Sequence, residues 1–282
     1  MAEDKNALGE KGLAQLITWS PNYEWKLIKM AILKDIRKNP PNILRFGDKF
    51  TEENKLIFEQ QINIEMIAEA VSFAELLGAY LLAFSQKQRI VQKVLFEYKV
   101  KQVMELYKKV KEMNHQEISK LIGYPDISEF EPDCRKKIEG DLKKSSENIK
   151  KVIVKIATFY LDHLQFYNDY KHGFRIFPTT SSPEGKAFGA AFQIVNGDIL
   201  NKAIIHKDSN LLNKADEAFK IARKIRNILY FLLPIFRKRF IENKEIVTLI
   251  FFNDIEEGKN NFKKRKKTIV RARSKLLGSL GF

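Results

Sequence analysis

Residues 66–84 read MIAEAVSFAELLGAYLLAF, and this stretch constrains the fold more than any other. It is apolar almost all round, so as a helix it has no face to give to water. Other elements must cover it. It is about as long as a bilayer is thick, but Glu69 and Glu75 sit inside it. A carboxylate near a bilayer centre carries a heavy penalty. The stretch therefore reads as the central helix of a bundle, without membrane insertion. Glu65 and Glu69 share one face of it and Glu75 points elsewhere. Such acids are expected to pair with a Lys or Arg of a neighbouring helix. A role in fixing an imidazole tautomer is the other option.

The rest of the chain supplies covering helices. Ser20-Pro21 is a helix start, with Ser as N-cap and Pro in the first turn. Trp25, Ile28, Ile32 and Ile36 follow at three-to-four spacing until Asn39-Pro40-Pro41. Trp19 and Trp25 are expected in the core. Thr51, with Glu52 and Glu53 behind it, starts the helix that carries the apolar stretch. A further helix is expected through Ile90, Val94, Tyr98, Val103, Leu106, Tyr107 and Val110. Gly123-Tyr124-Pro125 ends a short helix near residues 115–122, and Ser128 to Pro132 is a connector. Asp133 opens a long helix to about His172, with Ile149, Ile153, Ile156, Phe159 and Leu164 inward. Phe is abundant (21) while Gly (13) and Pro (8) are scarce, which suits long helices.

After Gly173 the texture changes. Turn formers crowd residues 178–185, and AAFQIV and KAIIH flank Asn196-Gly197, a pair suited to a tight hairpin turn. A helix is expected from about Asn213 to Arg237, kinked or ended by Pro234. EIVTLIFFN, residues 245–253, fits a buried strand. The expected fold is mainly α: a multi-helix bundle with a small antiparallel β element in the C-terminal third. The organisation read from this is an N-terminal segment 1–19, a bundle 20–173, a mixed extension 174–257 and a basic tail 258–282.

Formal net charge is +15. From Lys259 to the end there are nine Lys and Arg and no acid, so the tail supplies more than half of the excess. Such a balance favours a polyanionic partner. The tail, with Lys263, Lys264, Arg265, Lys266, Lys267, Arg271 and Arg273, reads either as a solvated segment or as a nucleic-acid contact. Lys220, Arg223, Lys224 and Arg226 form a basic helical stripe open to the same two readings. A single cysteine, Cys134, suggests a reducing, cytoplasmic setting. MAEDKNALGEKG at the start carries no apolar run that would read as a signal peptide.

Several chemistries are absent. There is no P-loop, no GxGxxG turn, no His-Glu-x-x-His pair and no GxSxG elbow. One Cys and four scattered His give no metal-ligand spacing, so no metal or cofactor is expected. What remains is Tyr167-Asn168-Asp169-Tyr170-Lys171-His172-Gly173. Gly173 closes a helix end. His172 can titrate near neutrality, and Asn168 lies one turn before it. This stretch resembles the end of the catalytic helix in the HEPN superfamily (higher eukaryotes and prokaryotes nucleotide-binding domains). Members are all-helical, often dimeric, and many are metal-independent RNases. Their motif is an Arg, commonly a polar residue such as Asn, then a few residues and a His. Asn168 and His172 match the polar and His positions, while Tyr167 stands where the family has Arg.

The resemblance implies an RNase or a degenerate relative in a defence or stress system. His172 would be the acid or base, Asn168 would orient phosphate or ring, and Lys171 or Arg175 would offset developing charge. Tyr167 and Tyr170 would contact nucleic acid, RNA rather than DNA. A homodimer is implied too. The reading from another class is a non-catalytic helical-bundle protein for interaction or dimerisation. A plain helix terminus explains the same residues, because the dipole favours His there and Asn and Gly are ordinary terminators.

Overall fold

The computed structural model describes residues 22–40, 52–85, 98–124, 126–130, 132–171 and 211–236, together with isolated residues 95 and 97 and short backbone stretches between 176 and 271. Among the described residues the chain is mainly α. The helices are α1 (Asn22–Lys38), α2 (Glu52–Ser85), α3 (Val100–Lys109), α4 (His115–Leu121), α5 (Pro132–Lys171) and α6 (Leu211–Phe236). A 3-10 turn, Ile127–Glu129, precedes α5.

Two compact units emerge. One comprises residues 1–21, 75–158 and 227–282, and the other residues 22–74 and 159–226. The division falls inside α2, α5 and α6, so each of these helices contributes to both. The apolar stretch is buried as expected: Met66, Ala70, Val71, Ala74, Leu77 and Leu81 are fully enclosed. α2 is long and apolar enough to cross a membrane, yet 78% of its most apolar window lies inside the protein.

Several contacts inside the first unit join neutral groups. Val103 and Tyr107 of α3 are buried beside Gly78 of α2, and Val110, which caps α3, is buried too. Gly78 sits where a Cβ would collide with Val103 and press on the Tyr107 ring, so the glycine permits that approach. The Ser119 and Ser146 hydroxyls are 2.6 Å apart, and Tyr124 and Ser145 are 3.1 Å apart. Burial raises the Tyr124 phenol, more than Ser145 lowers it, so it stays protonated. α4 has a defined start and stop. Asn114 Oδ1 accepts from the Gln116 and Glu117 amides while Glu117 accepts from the Asn114 amide. At the other end Gly123 has φ +71°, and the Gly123 and Tyr124 amides close onto the Lys120 and Ser119 carbonyls.

The second unit is tied by charge. α1 lies on α2 with Met30 fully buried and Arg37 nearly so. Arg37 donates to Asn63 Oδ1 at 3.0 Å and to Asp216 of α6 at 2.7 Å. Arg226 binds Glu24 at 2.8 Å.

Two expectations need correction. Trp25 is not in the core: it is 60% exposed, because the opposite face of α1 carries Lys26, Met30 and Arg37 and turns inward. Trp19 lies outside the described residues. Tyr98 does not continue into α3, since Lys99 is extended (φ −103°, ψ 141°) and its amide is capped by Gln102 Oε1; Ile90 and Val94 are outside the described residues. α6 runs from Leu211 past Pro234 to Phe236, close to the expected bounds.

Beyond α5 only backbone is described outside α6. β1 (Ile176–Thr179) pairs antiparallel with β2 (Phe188–Ala191), and β2 with β5 (Ile204–Ile205). β3 (Ile194–Val195) pairs with β4 (Asp198–Ile199), so Val195 faces Asp198 across the Asn196-Gly197 dipeptide. β6 (Ile246–Ile250) pairs with β7 (Lys267–Arg271).

Candidate functional site

The last two turns of α5 face α2 in the second unit. Their side chains are placed by the helical repeat: Phe166 and Tyr167 turn inward, Asn168 and Tyr170 are half-buried, and Lys171 is exposed. Asp169 is buried and accepts from Gln165 Nε2 at 3.1 Å, one turn earlier. The Lys171 ammonium lies 4.2 Å from the centre of the Tyr167 ring, a cation–π contact. Tyr167 is therefore a buried ring covered by a cation. His172, Gly173 and Arg175 lie outside the described residues, so of the motif only Asn168 and its neighbours have a described position.

Tyr170 reaches across to α2. Its hydroxyl donates to Glu65 Oε1 at 2.6 Å. Burial, and then the Glu65 carboxylate, push this phenol above its ordinary range, so it remains a donor. One turn along α2, Glu69 is held by two ammoniums of α1. Lys26 and Lys29 each approach one of its oxygens at 2.9 Å. Lys26 also donates to Ser72 Oγ at 2.9 Å. Burial alone would raise the Glu69 carboxyl, but the Lys29 and Lys26 bonds outweigh it and hold it below its usual range. The Glu69 bond raises Lys29 against the opposing effect of burial. Glu65 adds to the negative field on Lys29. These residues form one polar seam: Tyr170–Glu65, then Lys29–Glu69–Lys26–Ser72.

Chemically the seam is a clamp. Glu69 is compensated twice and Glu65 accepts a short bond from a phenol, so neither carboxylate is poised as a free base. The expected pairing of these acids with lysines of a neighbouring helix is met at Glu69. At Glu65 the partner is a tyrosine, which the sequence did not signal. Glu75, in the other unit, accepts from Tyr98 at 3.2 Å. In the basic stripe of α6, Arg226 is engaged with Glu24.

His163, one turn before Tyr167, is a buried titratable group. Its Nδ1 lies 2.9 Å from the Phe159 carbonyl and its ring stacks on Phe159 at 4.4 Å. Its Nε2 is buried without a hydrogen-bond partner. Burial pushes its pKa down, the Phe159 bond opposes this, and Lys214 pushes further down. Among the described residues no group of three His, Cys, Asp or Glu is arranged to hold a metal ion.

In the tail, Lys267 and Arg271 sit at the two ends of β7, opposite Ile250 and Ile246. Lys263, Lys264, Arg265, Lys266 and Arg273 lie outside the described residues. No family model, no curated protein and no solved structure matches the chain.

Proposed function

We propose that this protein is a HEPN-like helical protein that interacts with nucleic acid, RNA in preference to DNA, in a cytoplasmic setting. The observation that carries the reading is charge. The chain has a net charge of +15, and residues 259–282 hold nine cations and no acid. When such a segment neutralises phosphates, the polyanion's condensed counterions are released into solution, a gain that falls steeply as salt rises. The backbone pairing of β6 with β7 supports a small antiparallel β element in this region, which would display Lys267 and Arg271 at its ends. A helix end bearing Asn168 and Lys171 supports the family resemblance. The burial of α2 argues against membrane insertion.

Binding stands ahead of cleavage in this proposal. The family's Arg is replaced by Tyr167, and the nearest described cation, Lys171, lies over that ring. A metal-independent RNase would use His172 as acid or base, with Asn168 orienting phosphate. The test is a mobility-shift and cleavage assay with labelled RNA, across salt and with EDTA. Binding should weaken steeply as salt rises, and removing residues 259–282 should weaken it and flatten the slope. Equal affinity at low and high salt would refute electrostatic binding. If RNA is cut, His172→Ala should abolish cutting and leave binding intact. An intact broad RNA panel would remove the catalytic half and leave the binding half.

The second reading, a non-catalytic interaction protein, is favoured by one observation of its own: the exposed apolar face of α1.

A further inference from the structure

α1 is inverted. An amphipathic helix on a protein surface ordinarily buries its apolar stripe and shows its charges. Here two charged residues face in beside the fully buried Met30: Lys26 reaches Glu69 and Ser72, and Arg37 reaches Asn63 and Asp216. The apolar side faces out. Trp25 is 60% exposed and Ile28 and Ile32 are each 47% exposed. Spaced three and four apart, these residues form one continuous stripe, with Ile36, half-buried, extending it. Polar residues in those positions would suit the exposed half of each side chain. Apolar ones leave surface in water that burial would stabilise.

The ends of the stripe say what covers it. The first turn of α1 carries Glu24 and the last carries Arg37 and Lys38. Glu24 keeps 30% of its side chain exposed beside Arg226, and Lys38 is exposed. We propose that the partner is a second copy of this chain, its α1 laid antiparallel along the first about a two-fold axis near residue 30. In that register Ile28 opposes Ile32 of the second copy, and the reverse. Trp25 opposes Asp35 of the second copy, an exposed acid that its indole N–H can reach. Glu24 stands beside Lys38 of the second copy at both ends. The helix dipoles also oppose. A parallel pair would instead set Asp35 against Asp35. Every contact is made twice by the same patch, which is the requirement of an isologous dimer. One pair of short helices buries less than the roughly 1,000 Å² of a lasting interface, so the dimer is weak and concentration-dependent. The inference does not rest on nucleic-acid binding.

Sedimentation of the full chain across the micromolar range tests it. The wild type should show a reversible monomer–dimer equilibrium. Ile28→Glu with Ile32→Glu should be monomeric and melt at the wild-type temperature, since both positions already face water. Orientation is read by mixing. With Cys134→Ser as background, Ile28→Cys protein should cross-link to Ile32→Cys protein far better than to itself. A wild type that stays monomeric throughout, or a double variant that still dimerises, overturns the proposal. Preferential self-linking of Ile28→Cys overturns the antiparallel arrangement.

Discussion

The two units solve the same problem with different chemistry. In the unit holding α3 and α4, buried hydroxyls pair with one another, Ser119 with Ser146 and Tyr124 with Ser145, and the buried Glu75 carboxylate accepts from the Tyr98 hydroxyl. Close helix approach is bought by Gly78. In the unit holding α1, the bonds run between ions: Glu69 with two lysines, Arg37 with Asp216, Arg226 with Glu24. Neutral pairs are insensitive to salt and pH over the ordinary range. Ion pairs are not. The ion pairs of the second unit are thus contacts that conditions can tune, and the same unit contains the α5 end with Asn168 and Lys171.

Arg37 gives the largest effect by which to break this contrast. Its side chain is 7% exposed and its guanidinium is shared between Asn63 and Asp216. Arg37→Met strips a donor from Asn63, which is buried, and leaves Asp216 with only Lys34 at 3.6 Å. Because Asp216 is 39% exposed, water recovers part of the loss. A destabilisation of about 2–4 kcal/mol is expected by chemical denaturation. Adding Asn63→Leu should return part of it, since an apolar pair leaves no orphaned acceptor. If Arg37→Met is neutral, the charged network contributes packing alone and the contrast between units fails.

Gly78→Ala probes the other unit and should cost somewhat less. The new methyl collides with Val103 on α3, so one helix must move. About 1–3 kcal/mol is expected. The loss should be the same at low and high salt, whereas part of the Arg37 loss should shrink as salt rises. Val103→Ala combined with Gly78→Ala should be less harmful than the sum of the two, because the second truncation makes room.

How far the sequence revealed this depends on which interaction decides each feature. Helices were legible wherever local signals agree: α2 from its unbroken apolar repeat, the end of α4 from Gly123, the run of α5 from Asp133 to its terminus. Asn114 and Glu117 are spaced as a capping box, a signal that was there to be used. The facing of α1 was not legible. Trp25, Ile28 and Ile32 have the spacing of a buried stripe, and only the partners of Lys26 and Arg37, distant in sequence, turn the helix the other way. The candidate site shows the same limit. Asn168 and Lys171 were singled out from local pattern, but the Tyr170–Glu65 bond spans 105 residues and no local rule announces it. A small free-energy difference between two facings is set by tertiary contacts, which periodicity does not encode.

The smallest effect is the one that depends on pH, and it falls on His163. The described histidine of the first unit, His115, is exposed, while His163 of the second is buried. With Nδ1–H donated to the Phe159 carbonyl, the neutral ring fits its place. Protonation would put a hydrogen on Nε2, which has no acceptor, in a field set by Lys214 and Glu217 on α6 and Asp162 on its own helix. Burial therefore holds the folded pKa below the unfolded value of about 6.5. Between those two values the unfolded chain binds more protons than the folded one, so stability rises with pH there. His163 stabilisation is complete above the unfolded pKa and is lost as pH falls toward the folded one. The melting temperature should be level above about pH 7 and decline as pH drops below about 6.5. His163→Gln keeps a donor for Phe159 and cannot titrate, so it should flatten the decline by up to one proton, about 1.4 kcal/mol per pH unit. If His163→Gln melts with the wild-type pH profile, acid sensitivity does not reside at this buried ring.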